Sequence, residues 1–152
     1  MRIAVGCDEA AYRLKMVVIG HLKARGHEAV DFGARQQETV LYPDVASAVA
    51  NAVAQGQFER AILVCGTGIG MAIVANKVPG VRAAVCHDPF SAERSRKSNN
   101  AQIMCMGERV VGDELAKYLV DVWLSSDFEG GRSTAKLERI EQMEQNRTEW
   151  EK

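Results

Sequence analysis

The chain has 152 residues, with 19 Lys and Arg against 20 Asp and Glu for a net charge of −1. That length makes one domain with a substantial core, and the balanced charge excludes the basic surface of a nucleic-acid or anionic-membrane binder. No apolar run approaches the length of a membrane span, and Met1-Arg2-Ile3-Ala4-Val5 enters a strand at once, leaving no room for a signal peptide, so the cytoplasm is the expected location.

Taken in order, Arg2–Gly6 reads as a first strand and Cys7-Asp8-Glu9 as the loop at its carboxyl end. Ala10 to Arg25 has helical spacing, with Leu14, Val17, Val18 and Leu22 on one face and Gly26 as the stop. Glu28–Phe32 predicts a second strand, Gly33 to Leu41 a polar loop, and Tyr42-Pro43-Asp44 the start of an alanine-rich helix reaching Gln55. Ala61–Cys65 is a third strand, an apolar run that ends at a cysteine as a buried parallel strand would. A glycine loop and a helix to Lys77 follow. Pro79-Gly80 marks a turn, Val81–Cys86 a fourth strand, His87-Asp88-Pro89 the opening of a helix to Lys97, and Ile103–Met106 a fifth strand. Beyond Gly107-Glu108-Arg109 a helix is expected over Asp113–Ser125, and beyond Gly130-Gly131 a charged helix over Arg132–Glu151. The apolar positions of that last helix (Leu137, Ile140, Met143) are few, which suits packing on a partner subunit rather than in the core. The strand–helix alternation gives a single α/β domain over residues 1–152, three-layered and Rossmann-like, with a five-stranded parallel sheet.

The most informative stretch is Cys65-Gly66-Thr67-Gly68-Ile69-Gly70. Strand, glycine turn and helix together bind phosphates and oxyanions, because N–H groups of the turn and of the helix's first turn converge and glycines let a ligand approach them. A cysteine at that point is a candidate base or nucleophile. By itself the segment fits a tight turn after a strand, and a cysteine that merely packs, better than a catalytic loop. Dinucleotide binding is a poor fit, since Gly66-x-Gly68 is followed by Met71 rather than a third glycine. No Gly-Lys-Ser/Thr closes a phosphate loop either.

Cys7, Cys65, Cys86 and Cys105 stand far apart with no C-x-x-C pair, which argues against a zinc site or a redox dithiol; a disulfide scaffold does not suit a cytosolic chain of this size. On a parallel sheet all four fall near the carboxyl ends of strands, the edge where open α/β sheets bind ligands. His87 sits at that edge as a turn residue or an auxiliary acid. His21 and His27 read as solvent-facing, Cys7 and Cys105 as core packing.

Gly6-Cys7-Asp8 with Lys15, Tyr42-Pro43, Cys65-Gly-Thr-Gly-Ile-Gly70, Ala75-Asn-Lys-Val-Pro-Gly-Val-Arg82, Ser91-Ala92, Asn99-Asn100, Gly107-x-Arg109 and Glu129-Gly-Gly-Arg132 occur in this order. The set resembles the ribose-5-phosphate isomerase B / galactose-6-phosphate isomerase family over essentially the full length. The resemblance implies a homodimer or tetramer with sites at the subunit interface, a sugar-phosphate substrate, no cofactor and no metal. It makes Cys65 the base, assisted by the Thr67 hydroxyl, with N–H groups of the Gly66, Gly68, Ile69 and Gly70 loop holding the oxyanion of an enediolate. Asp8, Tyr42 and Asn99 match substrate contacts, and Arg109 with the partner's Arg132 and Lys136 a phosphate clamp.

Three departures bear on substrate. Lys136 replaces an arginine, keeping the charge and losing the bidentate fork. Glu9 stands where ribose-phosphate isomerases read histidine, a position unfavourable for a carboxylate beside a phosphate unless Arg109 or Lys136 pairs with it. Ser98 stands where the ring-opening histidine is expected, and a serine is no general acid near neutral pH. A four-carbon sugar phosphorylated at its terminal hydroxyl closes no stable ring and needs no such acid. Ser98-Asn-Asn-Ala-Gln-Ile also resembles the D-erythrulose-4-phosphate isomerase branch. The expected reaction is therefore aldose–ketose isomerisation of a tetrose phosphate; ribose 5-phosphate, a hexose 6-phosphate, or a non-catalytic binding subunit of a heteromeric isomerase are the alternatives.

Overall fold

The structure, a computed structural model, describes residues 1–149, so the expected end of the last helix at Glu151 lies outside the described residues. Among these residues the strands β1 (Arg2–Cys7), β2 (Glu28–Asp31), β3 (Arg60–Cys65), β4 (Ala83–Val85) and β5 (Ile103–Gly107) form one parallel sheet in the order β2-β1-β3-β5-β4. The helices are α1 (Tyr12–Ala24), α2 (Tyr42–Ala54), α3 (Ile69–Ala75), α4 (Pro89–Lys97), α5 (Asp113–Leu124) and α6 (Arg132–Glu149). This is the expected Rossmann-like arrangement.

Central strand β3 is buried at every residue, which explains the unbroken apolar run Ala61–Cys65 within it. Its side chains alternate between two cores. Ile62 and Val64 join Leu14, Val18, Leu22, Leu119 and Trp123 under α1 and α5. Leu63 and Cys65 join Val45, Val49, Met71 and Ala72 under α2 and α3. Among the described residues no helix is long and apolar enough to cross a membrane.

Several boundaries move for identifiable reasons. Asp8 caps a 3₁₀ turn at Glu9–Ala11 through Ala10 N–H (3.1 Å), so α1 itself begins only at Tyr12. On α1, Ile19 is buried and Val17 is left half-buried. The α3 helix ends at Ala75 because the Asn76 carboxamide exchanges two 2.8 Å hydrogen bonds with the backbone of Ala83. Strand β4 is cut back to Ala83 because Arg82 N–H goes to the Gln102 side chain instead (2.8 Å). His21 is not solvent-facing: α5 packs over α1 and brings Asp121 to 2.8 Å from its Nε2. On α6, Leu137 is buried within its own chain while Ile140 and Met143 are exposed.

Lys15 is wholly buried, its Nζ 2.9 Å from both carboxylate oxygens of Asp31 and also bonded to Ala34 O. A buried ammonium needs such a saturated set of acceptors. The set fixes the start of the loop that leads from β2 to Tyr42.

Candidate active site

The chain leaves β1 for β2 along one face of the sheet and returns to β3, on the other side of β1, along the opposite face. The carboxyl ends of β1 and β3 therefore flank a topological switch point, the crevice where open α/β sheets bind ligands. Register places Cys7 beside Val64, so Asp8 and Cys65 emerge on either side of it.

At this edge the sulfur of Cys65 accepts the N–H of Gly68 at 3.1 Å. Gly68 is left-handed (φ +77°), and a Cβ there would lie 2.9 Å from the carbonyl carbon of Met106; only glycine makes the turn that aims its N–H at sulfur. Thr67 is exposed and its Oγ1 accepts Ile69 N–H at 3.3 Å. Two loop donors thus face the side chains of Cys65 and Thr67. Gly70 and Met71, in the first turn of α3, have N–H groups with no intrahelical acceptor. Gly70 is overlain by Tyr42, since a Cβ there would lie 2.6 Å from Tyr42 Cε2. Arg109 covers Gly66, its Cζ 3.5 Å from the place of a Cβ.

The other three cysteines take no part in this geometry. Burial pushes the Cys7 thiol up to about 11 and raises those of Cys86 and Cys105, so all three stay protonated near neutrality. Desolvation also raises the carboxyl of Asp8, with the neighbouring charge of Glu9 adding to it.

Glu9 lies at the same edge, beside Asp8. It is exposed and accepts the backbone N–H of Val40 at 3.3 Å; among the described residues it forms no ion pair with Arg109 or Lys136. The carboxylate ties the loop before Tyr42 to the end of β1. His87 is placed as expected at the ligand edge, but its Nε2 accepts Gly107 N–H at 2.9 Å.

Ser98 and Asn99 lie elsewhere in the chain. Helix α4 runs antiparallel to the strands, from Asp88 at the carboxyl edge to Ser98 at the amino edge. There Arg82, just before β4, donates from Nε to Asn99 O at 3.1 Å. Ser98 Oγ accepts Arg94 Nε–H at 3.0 Å, and the same guanidinium reaches Glu129 at 3.2 Å. Glu129 N–H in turn bonds Lys97 O (3.1 Å), which brings Gly130-Gly131 and the exposed Arg132 and Lys136 of α6 to this corner. Each chain therefore carries two separate clusters. Asp8, Glu9, Tyr42, Cys65, the glycine loop and Arg109 occupy the carboxyl edge; Ser98, Asn99, Arg132 and Lys136 occupy the opposite one.

The ribose/galactose isomerase family model matches residues 3–140. The chain belongs to that family. It is 54% identical over 145 residues to a ribose-5-P isomerase B of Listeria innocua, covering 95% of this chain and 98% of the relative. It is 50% identical over 141 residues to a D-erythrulose-4-phosphate isomerase of Pectobacterium atrosepticum, covering 92% and 93%. Among solved structures, a ribose-5-phosphate isomerase B of Clostridium thermocellum superimposes with a TM-score of 0.94 at 46% identity, covering 96% of this chain and 99% of that one. This family member is an isomerase whose relatives include enzymes named for two different sugars.

Reasoning from sequence missed Gly107 as a packing element of the site: a Cβ there would lie 2.6 Å from Thr67 Cα. The available signal was a glycine closing a strand that neighbours the glycine loop. The anchors that Arg94 and Val40 N–H supply to Ser98 and Glu9 left no signal in motif or spacing.

Proposed function

We propose that this chain, an aldose–ketose isomerase of sugar phosphates, acts best on an open-chain four-carbon substrate, interconverting D-erythrulose 4-phosphate and D-erythrose 4-phosphate. Cys65 as thiolate takes the proton from the carbon beside the carbonyl. The carbonyl oxygen becomes an enediolate oxygen held by loop N–H groups, the same sulfur returns the proton to the former carbonyl carbon, and the proton of the adjacent hydroxyl passes to the former carbonyl oxygen as that hydroxyl becomes the new carbonyl. Thr67 assists at the oxygens, and Asp8 and Tyr42 hold substrate hydroxyls. Arg109 receives the phosphate.

The second cluster completes the site from a partner subunit. A cytoplasmic homodimer is the smallest assembly in which Ser98, Asn99, Arg132 and Lys136 of one chain can face Cys65 of another, since one chain holds them at opposite sheet edges.

The observation that carries the tetrose reading is Ser98. Its hydroxyl is an acceptor for Arg94 at 3.0 Å, and it offers no proton of suitable acidity to a furanose ring oxygen. The D-erythrulose-4-phosphate isomerase of Pectobacterium, at 50% identity, supports the same choice. Ribose 5-phosphate is the second reading, favoured by the 54% identity to the Listeria enzyme. Incubation with tetrose, pentose and hexose phosphates in deuterated water separates them: deuterium should enter the carbon next to the carbonyl fastest for the tetrose, and faster entry into the pentose would favour ribose.

A further inference from the structure

In a parallel sheet alternate N–H groups of a strand face alternate neighbours. Just past β5, Glu108 N–H turns to β3 and bonds Cys65 O at 2.9 Å. Ile103 N–H turns the other way, to Arg82 O at 3.2 Å. Gly107 N–H faces this second side too, but β4 stops at Val85 and leaves the rung without a backbone acceptor. The imidazole of His87 supplies it, Nε2 accepting at 2.9 Å. An Nε2 that accepts carries no proton, so the ring is neutral and protonated on Nδ1.

What Gly107 touches gives this bond its consequence. Its Cα side lies against Thr67 and Gly66 O so closely that a Cβ would come within 2.6 and 2.8 Å of them. The next two N–H groups bond Cys65 O and Gly66 O, the second at 3.1 Å from Arg109. On the far side Glu108 is held by Arg13 (3.0 Å) and Leu14 N–H (3.2 Å) of α1. Among the described residues, His87 is thus the tie on the β4 side of a segment whose other face packs against the Cys65-Gly66-Thr67 backbone.

We infer that His87 is a positioning residue: as a neutral acceptor it replaces the missing rung of β4 and holds Gly107 against Thr67, fixing the glycine loop and Arg109. It is not a proton donor to the sugar. The inference rests on the reading of Cys65 and the glycine loop as the reacting centre.

The test compares two isosteric substitutions. Gln at position 87 places a carboxamide oxygen near the place of Nε2 and can accept from Gly107; Leu has similar bulk and cannot. With both variants folded by melting temperature, His87→Leu should lose about tenfold in kcat on the best sugar phosphate with KM within about twofold, because misaligned donors cost more in the transition state than in the ground state. His87→Gln should stay within about threefold of wild type. Wild-type kcat in the Leu variant would overturn the inference, as would an equal loss in Gln and Leu, which would mean that the imidazole transfers a proton. Imidazole ¹⁵N shifts of the wild-type protein provide an arm independent of folding and of substrate. An Nδ1–H tautomer with Nε2 as acceptor supports the bond, and an Nε2–H tautomer refutes it. Absence of proton exchange by the wild type on every sugar phosphate would contradict the Cys65 reading while leaving the tautomer measurement to decide the bond.

Discussion

The N–H of Gly68 donates to the sulfur of Cys65 across 3.1 Å, from a left-handed residue three places further on. On the reading of Cys65 as the base, this donor orients the sulfur while further N–H groups of the loop serve the oxyanion. Removing the sulfur should remove the reaction and leave the pocket. Cys65→Ala is expected to lower kcat by about 10²–10⁴-fold with substrate still bound, measured by turnover and by calorimetric titration. Cys65→Ser should recover little, since an alkoxide forms far less readily than a thiolate.

Glycine substitutions separate packing at the site from packing elsewhere. At Gly107 a Cβ meets the Thr67 backbone at 2.6 Å, so Gly107→Ala must displace the loop. It should cost about 1–3 kcal/mol of stability and about tenfold or more in kcat. Gly20 in α1 has nothing within 4 Å of its Cβ position, and Gly20→Ala should raise stability by about 0.5–1 kcal/mol with unchanged turnover. Chemical denaturation and steady-state kinetics on the two variants check the contrast.

If the opposite-edge clusters meet between subunits, two dead chains should repair each other. Cys65→Ala and Arg132→Ala homodimers are each expected to be nearly inactive. A heterodimer of the two has one site with both residues intact and should recover up to half of the wild-type activity per dimer. Isolated heterodimers carrying two different affinity tags, assayed directly, give the answer; no recovery would contradict the shared site.

The architecture was legible in the sequence because burial on both faces writes itself as the continuous run Ala61–Cys65 and as helical stripes such as Leu14, Val18 and Leu22. The glycine loop was legible because a tight turn with exposed N–H groups restricts residue type. The position of Ser98 and Asn99 at the opposite sheet edge was not. Ser98 and Asn99 follow a helix that begins at the ligand edge, and only the direction and length of α4 place them at the other. Side-chain bonds between distant segments, such as Glu9 to Val40 N–H and His21 to Asp121, follow from how loops and helices dock and leave no periodic trace.

Acid sensitivity of the fold should reveal His87. Burial lowers its pKa below the usual 6.5, while Asp88, the charged neighbour, acts weakly the other way. Below the unfolded value the unfolded chain binds more protons at this site than the folded one, so its contribution to stability is intact above 6.5 and is lost as pH falls through the folded value. Urea unfolding midpoints from pH 8 to pH 5 should therefore decline less in His87→Gln than in the wild type.

The most direct measurement for the tetrose assignment is kcat/KM for D-erythrulose 4-phosphate, D-erythrose 4-phosphate and D-ribose 5-phosphate in the wild type and in Ser98→His. The wild type should prefer a four-carbon phosphate, because ribose 5-phosphate must open its ring with no acid at position 98. Ring opening does occur unaided in water, so activity on the pentose should be lowered rather than abolished. Ser98→His should narrow the gap by improving the pentose reaction. A wild-type preference for ribose 5-phosphate of about tenfold, roughly 1.4 kcal/mol in transition-state binding, would contradict the open-chain account.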